Sequence, residues 1–135
     1  MATPRNHFLL FLNLAFLFSA AIATKVNTEN QPTVYIINSM PPNSQSIEVN
    51  CSSASSPIVD RELLVTEAYQ LNVESKIPYL CIARMTQRRY IQIFDAYLPS
   101  RDKAHCKIYW LVNQDGFYLS WDRDKWVRKA LWQSE

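Results

Sequence analysis

Residues 106–126, CKIYWLVNQDGFYLSWDRDKW, hold the chain's single glycine and three of its four tryptophans. Asp115-Gly116 stands there between two apolar, β-favouring runs. That is a strong hairpin signal. A type I′ turn needs positive φ at both central residues, which Asp tolerates and Gly adopts freely. With those two as the turn, Gln114 pairs with Phe117, Val112 with Leu119 and Trp110 with Trp121. Strand side chains alternate with period two, so one face carries Ile108, Trp110, Val112, Phe117, Leu119 and Trp121. The other carries Lys107, Tyr109, Asn113, Tyr118, Ser120 and Asp122, with Leu111 the exception. Core is the assignment for Trp110 and Trp121. Tyr109 and Tyr118, on the wetter face, are the better candidates for contact.

The rest of the chain repeats this pattern of short strands. Residues 33–38 (TVYIIN), 46–51 (SIEVNC), 61–65 (RELLV), 68–74 (AYQLNVE), 79–85 (YLCIARM) and 89–97 (RYIQIFDAY) read as strands, and 125–132 (KWVRKALW) closes the chain. CSSASSP and LPSRDKAH read as loops, and the third and fourth strands as a pair. Ile47, Val49 and Cys51 share one side of their strand, and Tyr69, Leu71 and Val73 point inward on theirs. Residues 79–85 are apolar on both faces except at Arg84, as a central strand should be. This spacing predicts an all-β fold, a small antiparallel β-sandwich of about eight strands.

The first residues carry an address rather than a fold. Arg5 supplies a positive start, residues 8–23 are almost continuously apolar, and Ala21-Ile22-Ala23 is an A-x-A cleavage pattern. A run of sixteen residues is short for a bilayer span of about 20. Residues 1–23 are therefore expected to be a cleaved signal peptide and 24–32 a flexible mature N-terminus, with the folded domain over 33–132. Secretion is expected, with no membrane insertion after cleavage. Loss of Arg5 leaves a net charge of +1, which gives no global attraction to nucleic acid. The charge is uneven, −3 over residues 24–83 and +4 over 84–135, and such a dipolar surface can steer partners. Cys51, Cys81 and Cys106 allow one bridge from three pairings, with one thiol left over.

VYIIN, IEVNC, AYQLNV, YLCIAR, IQIFDAY, CKIYWLVNQDGFYLS and a terminal tryptophan together resemble the plant self-incompatibility protein S1 family. The most specific element is the spacing of Cys106, Trp110, Asp115 and Gly116. The resemblance implies a secreted β-sandwich that acts as a signalling ligand for a cell-surface receptor, with a possible part in pollen–pistil rejection. A secreted defence or small-ligand-binding protein is the alternative. Two departures stand out. The family's fourth cysteine, before the terminal aromatic, is absent from RKALWQ, and Thr66-Glu67 replaces a turn that often holds glycine. If the missing cysteine normally pairs with the first, the resemblance implies a Cys81–Cys106 bridge and a free thiol at Cys51.

No catalytic centre is expected. Without the leader His105 is the only histidine, so a two-histidine acid–base pair is excluded. Three separated cysteines and one histidine lack metal-ligand spacing, and one glycine excludes a phosphate-cradling loop. Asp122 and Asp124, beside Arg123 and Lys125, read as a salt-bridged turn. No cofactor and no metal are expected. Asn50 matches the N-x-S glycosylation pattern, with Cys51 between as an obstacle. In a sandwich, loops are free of the core and carry recognition. Receptor contact is therefore expected on residues 40–45, 86–89 and 98–105, the last two carrying Arg88, Arg89, Arg101 and Lys103.

Overall fold

Alternation sets the faces. Val34, Ile36 and Asn38 are fully buried, whereas Thr33, Tyr35 and Ile37 between them are only partly covered, the period-two pattern of a strand with one face on a core. The computed structural model describes residues 31–135; the expected signal peptide and its cleavage site lie outside them. Among the described residues the strands are β1 (Thr33–Asn38), β2 (Ile47–Ser53), β3 (Ser56–Leu63), β4 (Ala68–Asn72), β5 (Tyr79–Met85) and β6 (Tyr90–Tyr97). A one-turn helix, α1 (Pro99–Asp102), precedes β7 (Lys107–Asn113), β8 (Gly116–Ser120), β9 (Val127–Ala130) and β10 (Gln133–Ser134).

They form two five-stranded sheets, β4-β1-β7-β8-β9 and β10-β6-β5-β2-β3. Every pairing is antiparallel except β1 with β7. The sandwich is as expected, with ten strands instead of about eight. Its interior is apolar, with aromatic rings meeting between the sheets. Phe94 of one sheet meets Trp110 of the other edge-on at 4.9 Å and Phe117 at 5.0 Å, geometries that the aromatic quadrupole favours. Trp110 is 1% exposed and its indole N–H donates to the Ala96 carbonyl at 2.9 Å.

The sequence expectations are corrected at several points. The β7–β8 register differs by two residues: Trp110 pairs with Leu119 and Asn113 with Gly116, so Gln114 and Asp115 form the turn. The Asp115 N–H bonds to Asn113 Oδ1 at 2.8 Å, and neither Gln114 nor Asp115 has a positive φ. Gly116 is needed instead at the head of β8. There it takes φ +135°, and a Cβ would lie 2.4 Å from the Ala130 carbonyl oxygen on β9. A two-residue shift keeps every side chain on its face, so the inward set survives with one loss. Trp121 falls beyond the end of β8 and is 39% exposed.

The bridge joins Cys51 to Cys81, and Cys106 is the exposed free thiol. The reason is register: Cys51 and Cys81 are direct partners on neighbouring strands β2 and β5, both inward-facing. A bridge closing a separation of 30 residues contributes about 3 to 4 kcal/mol through loop closure. β3 begins at Ser56, so the CSSASSP loop shrinks to a tight turn, and β3 and β4 belong to different sheets instead of pairing. The 98–105 loop contains α1.

Asn38, at the inward end of β1, is a polar residue where alternation calls for an apolar one. Its Nδ2 donates to the Leu63 carbonyl at 2.9 Å and its Oδ1 accepts from the Met40 N–H at 3.0 Å. Its backbone N–H donates to Glu67 O, and its carbonyl accepts from Thr66 N–H. Asn38, by side chain and backbone together, thereby fastens the β3–β4 passage to β1. That passage is a four-residue turn closed by Glu67 N–H to Leu64 O at 2.9 Å, with Thr66 at φ +77°. Positive φ at the third position defines a type II turn, where glycine is favoured. A β-branched residue there is strained. Thr66→Gly should therefore raise stability by about 0.5 to 1 kcal/mol, read as a higher denaturant midpoint at unchanged slope. A lower midpoint would contradict this account of the turn.

Candidate functional site

Because β1 and β7 run parallel, their C-terminal ends share one end of the sandwich, where Ser39 N–H donates to Val112 O at 2.7 Å. The segment after β1 and the β7–β8 turn therefore lie together. The β5–β6 connection joins them, since Ile47 pairs with Met85. Gln45 Oε1 accepts from the Gln87 N–H, and Thr86 Oγ1 donates to Ser46 O at 3.2 Å. The chain's last residue closes the rim, with Glu135 N–H on the Arg89 carbonyl at 2.8 Å. Between these segments lies an open groove of about 660 Å³. Met40, Met85 and Trp132 supply its apolar lining; Gln45, Arg88 and Asp115 are among its polar residues. Trp132 is locked in place by its N–H bond to Asn113 O at 2.8 Å and by Phe117, 4.7 Å away.

Two of the three loops expected to carry recognition, 40–45 and 86–89, thus meet here. Arg88 and Arg89 are exposed and have no acidic partner within salt-bridge distance among the described residues. The third loop, 98–105, leads into the start of β7 and so lies at the opposite end. Lys103 is exposed there. Arg101 is not free for contact. Its Nε and Nη2 donate to Asp102 at 2.8 and 2.6 Å, and Nη2 also reaches Asp95 O at 2.9 Å. Its guanidinium lies over the Trp110 ring at 5.4 Å.

Asp102 itself, fully buried, was not legible as important. Its Oδ2 also accepts the Leu98 N–H at 2.9 Å, and its Oδ1 accepts the Trp121 indole N–H at 3.0 Å. His105 stacks on Trp121, 4.4 Å between centroids and 7° between planes. The only sequence hint was a carboxylate closing the first turn after Pro99. Tyr97 sits beneath, its OH bonded to Ser75 O at 3.0 Å. Burial first, and then the Asp102 charge, push its phenol upward. Tyr69 is also raised by burial, against the opposing pull of Arg61.

Asn50 lies mid-strand between Asp60 and Ile82, its Oδ1 buried without a hydrogen-bond partner among the described residues. No three His, Cys, Asp or Glu side chains gather as a metal site among the described residues. No helix among them is long and apolar enough to cross a membrane.

The fold and its open end define a small two-sheet β-sandwich with one disulfide and a groove built by loops at one end. The model of the plant self-incompatibility protein S1 family matches residues 33–132, and the chain belongs to that family. Among solved structures, a self-incompatibility protein homologue is similar, with TM-score 0.58 at 17% identity over 78% of this chain and 96% of that one. It represents a widespread family of small, highly stable, secreted proteins from plants. The secretory reading of the N-terminus agrees with that description. Among curated proteins, none matches the chain.

The β8–β9 turn holds one strongly shifted group. The N–H groups of Lys125 and Asp124 donate to Asp122 Oδ1 at 2.9 and 2.8 Å, and Ser120 Oγ lies 3.0 Å away. These donors, with the Lys125 charge, pull the carboxyl down from 3.8 to about 2. The folded value lies below the unfolded one, so the contribution is fully present above 3.8 and is lost as pH falls through about 2. Asp122→Asn should flatten the acid limb of the stability profile over that window, measured as denaturant midpoint against pH. An unchanged limb would contradict the assignment.

Proposed function

We propose that the protein is a secreted plant signalling ligand that engages a cell-surface receptor through the groove end, with residues 1–23 removed on export. It is not an enzyme in this reading, and a role in pollen–pistil rejection is one setting for it. The observation that carries the reading is the convergence of residues 40–45, 86–89 and the β7–β8 turn on one open groove. Arg88 in this groove is exposed and has no acidic partner among the described residues, while Met40, Met85 and Trp132 also pack against the core. Arginine is enriched among residues that dominate binding energy at interfaces. Family membership supports the ligand role. A second reading, capture of a small molecule, is favoured by the groove's 660 Å³, within the range of small-ligand sites.

Arg88→Ala with Arg89→Ala should leave the melting curve within about 0.5 kcal/mol of wild type, because exposed, unpaired charges add little stability. The same variant should lose binding of labelled protein to plant cells. Unchanged cell binding would remove the groove end as the receptor contact.

A further inference from the structure

The two outer faces of the sandwich differ in sign. Facing outward from β2, β3, β5 and β6 are Glu48, Asp60, Glu62 and Asp95 against a single cation, Arg84. The outer face of the β4-β1-β7-β8-β9 sheet carries no acidic side chain on its strands. Lys107 and Tyr109 share that face of β7, Tyr118 lies beside Leu111, and Arg128 lies beside Tyr118. Arg123, from the β8–β9 turn, folds over the Tyr109 ring at 5.4 Å, and Tyr109 stacks on Tyr35 at 5.0 Å with 15° between planes. Asp122 and Asp124 flank Arg123 in the turn, and the oxygen of Asp122 accepts from the donors of that turn. Lys107, Arg123 and Arg128 are exposed. From strand rise and spacing, these cations span roughly 15 Å of the sheet's outer face.

We infer that this face binds an acidic polysaccharide, a linear chain of uronate residues. Guanidinium forks match carboxylates in bidentate geometry. Arg123 is already held flat by Tyr109, so little rotamer freedom is lost when it binds. The tyrosine hydroxyls and the outward amides of Gln70 and Asn72 can exchange hydrogen bonds with sugar hydroxyls. A single-stranded nucleic acid would need free aromatic faces for its bases, whereas Tyr35 and Tyr109 cover each other and Arg123 caps the stack. A membrane would need projecting apolar anchors, whereas Ile37 and Leu111 on this face are half-buried. The surface is separate from the groove and independent of the receptor reading.

The test is titration calorimetry of the mature protein with oligogalacturonate, its methyl ester and phosphatidylserine vesicles. Binding to the free acid is expected, falling steeply with added salt and lost with the ester. Lys107→Gln, Arg123→Gln and Arg128→Gln combined should weaken it about ten-fold or more, since three exposed charge contacts go together. Arg84→Gln on the opposite face should have no effect. Equal affinity for acid and ester overturns the proposal, as does binding to vesicles alone or to nothing. A folded triple variant that binds like wild type overturns the assigned face. If the triple variant does not fold, the acid–ester comparison on the intact protein decides.

Discussion

Asp102 is the one fully buried acidic side chain among the described residues, and the passage from one sheet to the other is built around it. Its two oxygens accept from the Leu98 N–H, from Nε and Nη2 of Arg101, and from the Trp121 indole. A buried carboxylate without such donors would be very costly. Arg101 carries the network onward: it reaches the carbonyls of Asp95 and Ala96, and Ala96 O also accepts the Trp110 N–H. The end of β6, the helical turn and the central tryptophan are thus tied to one carboxylate. Delivery of β7 beside β1, the only parallel pairing in the described fold, follows from that passage.

This arrangement divides the molecule. At the end where β7 begins, Arg101 and Asp102 are consumed by each other, and even a solvent-facing tryptophan is held by Asp102 and His105. At the other end, the loops are tied by backbone contacts and by Gln45 and Thr86, which leaves Arg88 and Arg89 uncommitted. Loops positioned by a rigid scaffold are where recognition can vary without loss of packing.

Much of the fold was legible because alternation is a local property. The buried sets of β2 and β4 can be read off IEVNC and AYQLNV directly. What could not be read depends on partners distant in sequence. Gly116 is required by the close approach of β9, not by its own turn, so the Asp-Gly signal misplaced the register by two residues. The Cys51–Cys81 pairing follows from the β2–β5 register, which a count of cysteines does not contain. Of the candidate site, the loops with Arg88 and Arg89 were legible as polar breaks. Arg101 was misread because the residue that claims it is its own neighbour, and only burial reveals the claim.

The division of labour between the two ends rests on Asp102 being structural. Equilibrium unfolding of Asp102→Ala beside Lys103→Ala tests it most directly. Removing the carboxylate should cost about 3 to 5 kcal/mol by stranding Arg101, whereas the exposed Lys103 change should stay within about 0.5 kcal/mol of wild type. An Asp102→Ala protein that unfolds like wild type yet no longer binds cells would contradict the account and place recognition at this end.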